Sequence, residues 1–240
     1  MHFGESKLNK IGEGKDKEVF WDPGEDSSKY DSPEHKRYVL KIYKGGKRKF
    51  GYLENFPKAH ARASFYFHKI VNLLFPENFP DVSGAGVNVL RSEKVPLDER
   101  HRSIKNVYEM RFQNGNPSAV ELEASARASG EIQRDPRYSA IIEEMKKLGI
   151  KVDHVEVNYS VDADGNMKYL DDVDPWDHVG IQEIQLSFNE GGLKEAINKL
   201  DDEKREKALA YFEHMEKIRE EENEKIRKAK STSTDVTTYI

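Results

Sequence analysis

VEVNYSVDADGNMKYLDDVDPW (residues 155–176) is the stretch whose reading decides the fold of this chain. Two runs of strand composition, VEVNYSV and MKYLDDV, flank an Asp-Gly pair. β-Branched and aromatic residues favour extended backbone, and Asp-Gly supplies the backbone conformation of a tight turn, so a β-hairpin is expected. A hairpin brings its remote ends together. Asp153 and Asn158, near the start of the first strand, should therefore meet Asp171 at the end of the second. Two carboxylates and one amide oxygen make a hard donor set suited to Mg²⁺, with phosphate oxygens completing the shell. An EF-hand calcium loop is ruled out. It needs glycine at the sixth place, and Gly165 is the fourth residue of the loop begun by Asp162. Asp172 and Asp174 read as turn acids that stop a strand before Pro175.

Working outward toward the N-terminus, KEVFW (17–21) and RYVLKIY (37–43) have strand composition, separated by a Pro-, Gly-, Ser- and Asp-containing loop over 21–35. Lys41 lies in the apolar second run, where a buried ammonium is costly without a partner. A phosphate is the expected one. KGGKRKFG (44–51) reads as a solvated basic turn. AHARASFYFHKIVNLLF (59–75) has no Pro or Gly and is broadly apolar, which predicts a helix buried on more than one side and ended by Pro76. His60 and His68 are expected to pack on it. GVNVLRS (86–92) and IKNVYEMRF (104–112) read as two further strands joined by a charged loop.

The second half turns helical. In DPRYSAIIEEMKKLG (135–149), Tyr138, Ile141, Ile142, Met145 and Leu148 share one helical face, Pro136 suits the first turn and Gly149 the C-terminal cap. Beyond the hairpin, helices are expected over about 181–200 and 202–229. The second carries Glu221–Lys225 and Glu224–Lys228 as i,i+4 pairs, each worth ~0.2–0.5 kcal/mol. STSTDVTTYI (231–240) is expected to be a disordered tail.

Asp153 precedes Asn158 by five residues, and Asn158 precedes Asp171 by thirteen. This spacing resembles the protein-kinase-like superfamily, whose catalytic loop reads H-R-D-x-x-x-x-N and is followed by a metal-binding Asp in a D-F-G position. IGEGKDKEVF (11–20) resembles the kinase glycine-rich loop through Gly12, Gly14 and Val19, with Lys17 replacing the third glycine. YVLKIY (38–43) resembles the V-A-I-K strand, with Lys41 in the lysine place. VYEMRFQNG sits where the hinge would be, with Met110 near the gatekeeper place and Arg111 to Gln113 in the linker. The resemblance covers roughly residues 8–176. It departs from the family in several places. Lys151-Val152 replaces His-Arg, DDV replaces D-F-G, and no acid occurs in 59–75 to pair with Lys41, Glu54 being the nearest substitute. Only 69 residues follow Asp171, with no A-P-E segment, so an ordinary protein kinase is not expected.

The resemblance implies an α+β, two-lobed protein-kinase-like fold forming a single domain over 1–230. A strand-rich N-lobe would span 1–112, a hinge and linker 113–134, and a reduced helical C-lobe 135–230. It implies ATP-dependent phosphoryl transfer to a protein or small-molecule hydroxyl. In that scheme Gly12, Gly14, Lys17, Val19, Lys41, Met110, Arg111 and Gln113 bind ATP, Asn158 and Asp171 hold Mg²⁺, and Asp153 orients or deprotonates the acceptor. A pseudokinase, or an interaction module without turnover, stays open beside it. Bulk properties narrow the class further. A net charge of −5 gives no global argument for nucleic acid. No apolar run approaches the ~20 residues of a membrane span. With no cysteine, disulfides and a Cys nucleophile are excluded, and a cytoplasmic location is expected.

Overall fold

The computed structural model describes residues 10–13, 17–21, 38–43, 56–86, 89–95, 97–112, 115–177 and 183–233. In chain order these form β1 (Lys10–Glu13), β2 (Lys17–Trp21), β3 (Tyr38–Tyr43), α1 (Phe56–Leu74), β4 (Val82–Ala85), β5 (Val89–Glu93), α2 (Glu99–Phe112), α3 (Ala119–Arg134) and α4 (Pro136–Lys147). A 3₁₀ turn (Glu156–Asn158) then leads into β6 (Tyr159–Val161), β7 (Met167–Tyr169), β8 (Trp176–Asp177), β9 (Gln185–Leu186), α5 (Glu190–Asn198) and α6 (Asp202–Ser233). The class is α+β, as the sequence implied.

The first five strands make one antiparallel sheet in the order β1-β2-β3-β5-β4. β3 is central, and its Val39, Leu40 and Lys41 are buried. α1 lies between this sheet and α6. Its Ala61 packs with Val82 and Leu90 of the sheet. On another side its Tyr66 ring stands 5.1 Å from His214 and 6.0 Å from Tyr211 of α6. Burial on both sides explains the broad apolarity of the helix, which ends at Leu74, just before Pro76. No helix among the described residues is long and apolar enough to cross a membrane.

The largest correction falls on 104–134. IKNVYEMRF is not a strand but the greater part of α2. Its buried residues, His101, Ile104 and Val107, recur every third residue and so mark a helical stripe. Asp98 starts the helix, its carboxylate accepting the His101 N–H at 2.8 Å. Met110 and Arg111 thus sit in the last turn of a helix instead of an extended hinge, and Gln113 lies outside the described residues. The expected linker over 113–134 is mostly α3, opened by a capping box in which Ser118 and Glu121 satisfy each other's backbone N–H groups. The expected 181–200 helix begins only at Glu190, because 185–186 pairs with 176–177 as β8–β9. The expected tail is helical as far as Ser233. The loop over 22–37, the basic turn over 44–51, Gly14 and Glu54 lie outside the described residues.

α4 follows its sequence signals closely. Asp135 caps it, Pro136 opens it, and Gly149 takes φ +67° just beyond it. A Cβ at Gly149 would stand 2.8 Å from the Asn189 backbone nitrogen, so both conformation and space require glycine there.

Candidate functional site

The hairpin forms as expected. Tyr159 pairs with Tyr169 and Val161 with Met167. In its turn the Asp162 carboxylate accepts the N–H groups of Asp164 (3.0 Å) and Asn166 (2.8 Å), and Gly165 takes φ +84°. Buried Tyr159 and Tyr169 fix which faces point inward. The strands are shorter than the sequence suggested, and Glu156–Asn158 is a 3₁₀ turn that delivers Asn158 to the hairpin's open end.

Three of the expected residues come together there through the backbone. The Leu170 N–H donates to the Asn158 carbonyl at 2.7 Å, and the Leu170 carbonyl accepts from Lys41 Nζ at 2.9 Å. One residue, Leu170, therefore links the lysine of β3 to Asn158, with Asp171 as its next neighbour in the chain. The Asp153 N–H donates to the Tyr169 hydroxyl at 3.0 Å, which places exposed Asp153 at the same end. In the five-stranded sheet, Gly12 is opposite Val19, Val19 opposite Lys41, and Lys41 opposite Leu90. Directly opposed residues share a face, so Val19 and Lys41 look toward the same side. Lys17 belongs to β2 and pairs with Tyr43.

The acid that meets Lys41 is Asp172. Its Oδ1 lies 2.7 Å from Lys41 Nζ, with the carboxylate fully buried and the lysine side chain 10% exposed. Asp172 is therefore a buried counter-ion and not the turn acid that the sequence suggested. The Asp171 carboxylate instead accepts the Asp172 N–H at 2.8 Å. β7 ends at Tyr169, so Asp171 and Asp172 lie beyond the strand. The burial penalty on Lys41 called for a partner, for which the sequence offered a phosphate, with Glu54 as the nearest substitute acid.

α1 contributes His68, which is 2% exposed. Its Nε2 accepts the Val173 N–H at 3.2 Å and stands 3.4 Å from Asp172 Oδ1. The accepted bond assigns the proton to Nδ1, and that buried atom has no hydrogen-bond partner among the described residues. Nearer the start of α1, His60 Nε2 lies 3.1 Å from Asp174 Oδ1 and its ring stacks on Trp176. Both histidines bind the segment after β7, a role their helix position alone did not reveal.

The residues near the hairpin end that carry side-chain oxygens from the expected set are Asp153, Asn158 and Asp171, placed there by their backbone contacts. Among the described residues, no three His, Cys, Asp or Glu side chains form a metal-ligand cluster. A divalent ion here would need the Asn158 amide and phosphate oxygens to complete its shell. No protein-family model matches the chain, and no curated protein matches it either.

Proposed function

We propose that this chain is a kinase-like protein that binds ATP with Mg²⁺ and transfers a phosphoryl group to a hydroxyl acceptor in the cytoplasm. The observation that carries the reading is the meeting of Lys41 with the Leu170–Asp172 segment, one hydrogen bond from Asn158. The kinase scheme asks for a lysine on the third strand, facing a catalytic hairpin across the site. The finer two-lobed, kinase-like arrangement belongs to this same proposal.

The donor chemistry fits the implied ligands. Lys41 offers one concentrated positive charge for phosphate oxygens, and Asn158 and Asp171 offer hard oxygens for Mg²⁺. Bound ATP would supply the transferable group, and Mg²⁺ would neutralise its charge. For its part the chain aims Lys41 through its 2.7 Å contact with Asp172, and holds the Asp153 carboxylate in solvent reach as acceptor of the hydroxyl proton. Such chemistry is mostly positioning plus electrostatics, so few residues are required.

A second reading, a pseudokinase that binds nucleotide or a protein partner without turnover, is favoured by one feature. α1 carries no acidic residue, and the Lys41 ammonium is committed to a buried carboxylate. Two measurements separate the readings. ATP with Mg²⁺ at 100 times its Kd should stabilise the fold by ~2.7 kcal/mol, read as a rise in melting temperature. The enzyme should then also release ADP, whereas the binder should not. Absence of any shift at millimolar ATP would sink both the enzyme and the nucleotide-binding pseudokinase, and leave only a binder of a protein partner.

A further inference from the structure

Three tyrosines from three elements converge on the main chain of two consecutive residues, Asp153 and His154. The Tyr138 hydroxyl (α4) donates to the His154 carbonyl at 2.7 Å. The Tyr159 hydroxyl (β6) donates to the Asp153 carbonyl at 3.1 Å. The Tyr169 hydroxyl (β7) accepts the Asp153 N–H at 3.0 Å. Asp153 thus has both its backbone polar groups bound by phenols while its side chain stays exposed.

The rings brace one another. Tyr138 and Tyr159 meet edge to face at 4.7 Å, and Tyr159 and Tyr169 at 5.2 Å. Tyr159 is fully buried, Tyr169 is 1% exposed and Tyr138 8%. Behind them, the Tyr159 carbonyl meets Nδ1 of buried His101 at 2.9 Å. Rings locked in this way cannot swing, so their hydroxyls define fixed points in space. Burial holds the Tyr138 and Tyr159 hydroxyls above their ordinary titration range, with the negative field of Asp153 and Glu156 adding to it. They remain donors throughout the physiological range. A core that needed only apolar filling would use phenylalanine at these places, since each buried hydroxyl must otherwise find a partner.

We propose that Tyr138, Tyr159 and Tyr169 are positioning residues that set the Asp153 carboxylate at the acceptor side of the site. This rests on the phosphoryl-transfer reading above. A misplacement of about 1 Å at a reacting group can cost on the order of 10²-fold in rate. Loss of one phenol bond should therefore show in turnover and not in nucleotide affinity.

The test uses Tyr138→Phe and Tyr169→Phe in the full chain, each alone and combined with Asp153→Asn. Each Phe variant should lower kcat by about 10- to 100-fold while the ATP Kd stays within about 2-fold of wild type. In the Asp153→Asn background the same changes should have little further effect, because the group they position is gone. A purely structural role would cut turnover equally in both backgrounds, and that result overturns the proposal. Hydrogen exchange gives a reading independent of activity. The Asp153 amide should exchange at least about 10-fold faster in Tyr169→Phe, as its acceptor is lost. Unchanged exchange overturns the clamp even when turnover is present. No turnover in wild type overturns the transfer reading itself, and with it the catalytic purpose of the clamp. Tyr138 lies nearest the surface of the three, so its variant keeps the test open should Tyr169→Phe fail to fold.

Discussion

Lys41 sits on the central strand of the five-stranded sheet, and α1 beside it carries no acid. Asp172 resolves this by crossing from the segment after β7. Removing only one member of such a pair leaves the other charge buried and alone, at a cost of about 3–5 kcal/mol. Asp172→Ala should therefore lower stability in urea by that order. Asp171→Ala should cost far less, because its half-buried carboxylate bonds the next N–H. The combination Lys41→Met with Asp172→Leu should recover much of the loss. Equal effects of Asp171→Ala and Asp172→Ala would show that the assigned counter-ion is wrong. Spacing along the chain grouped Asp153, Asn158 and Asp171, and the order of motifs added Lys41 to them. Asp172 stood outside that group because the kinase-like spacing selects the acid thirteen residues after Asn158, and the burial of a lysine does not say which acid will meet it. His68 was equally hidden, since a histidine on an apolar helix looks the same whether or not it reaches a backbone N–H on another segment.

Elements were legible where several signals agreed, as in α4, and illegible where a weak stripe was taken for alternation, as in α2. Among the described residues of α2 only His101, Ile104 and Val107 are buried, while apolar Tyr108 and Met110 lie off that stripe, so the apolar residues alone could be fitted to either period. The capping box at Ser118 and Glu121 was the overlooked mark of α3. Ser118→Ala should cost about 1 kcal/mol and raise hydrogen exchange in the first turn of α3. The joint between α3 and α4 is pH-sensitive. Asp135 accepts from the Arg137 guanidinium and backbone N–H, which hold its carboxyl down at about 2 against an ordinary 3.8. A carboxyl depressed in the folded state stabilises it above the ordinary value, and the contribution fades as pH falls from about 4 through 2. Asp135→Asn keeps a cap but cannot titrate, so urea midpoints should fall less steeply across that window than in wild type. An unchanged acid limb would show that Asp135 is not the group responsible. Burial tends to raise the Asp98 carboxyl, but the His101 and Val161 N–H groups and Arg100 outweigh it. Asp98 therefore adds to the acid loss in the same direction.

Over the whole molecule, α6 binds the parts together. Its charge pattern suggested a solvated face, and its exposed side bears that out in pairs such as Lys228–Glu224 at 3.7 Å. Yet Phe212, Met215, Ile218 and Ile226 form a buried stripe on the other side, packed in the same core as α1 and the hairpin. Among these lies Asn223, whose amide oxygen accepts the Ile184 N–H at 2.7 Å and whose amide nitrogen donates to the Ile184 carbonyl at 3.2 Å. Asn223→Ala would strand both main-chain polar groups of one buried residue, Ile184. It should cost about 1–3 kcal/mol and open the 183–188 segment to protease before the rest of the fold. Simultaneous loss of all structure would mean that this segment is no separate unit of opening.

Leu170 is tied through both of its main-chain groups, by its N–H to Asn158 and by its carbonyl to Lys41. Main-chain atoms are the same whatever residue the codon specifies. The junction between sheet and hairpin is thus indifferent to most changes at position 170, and natural variation there should be wide. Proline is the one coded residue that deletes the N–H. A saturation library at 170, selected for folded protein, should accept many side chains and reject proline alone among those of similar bulk.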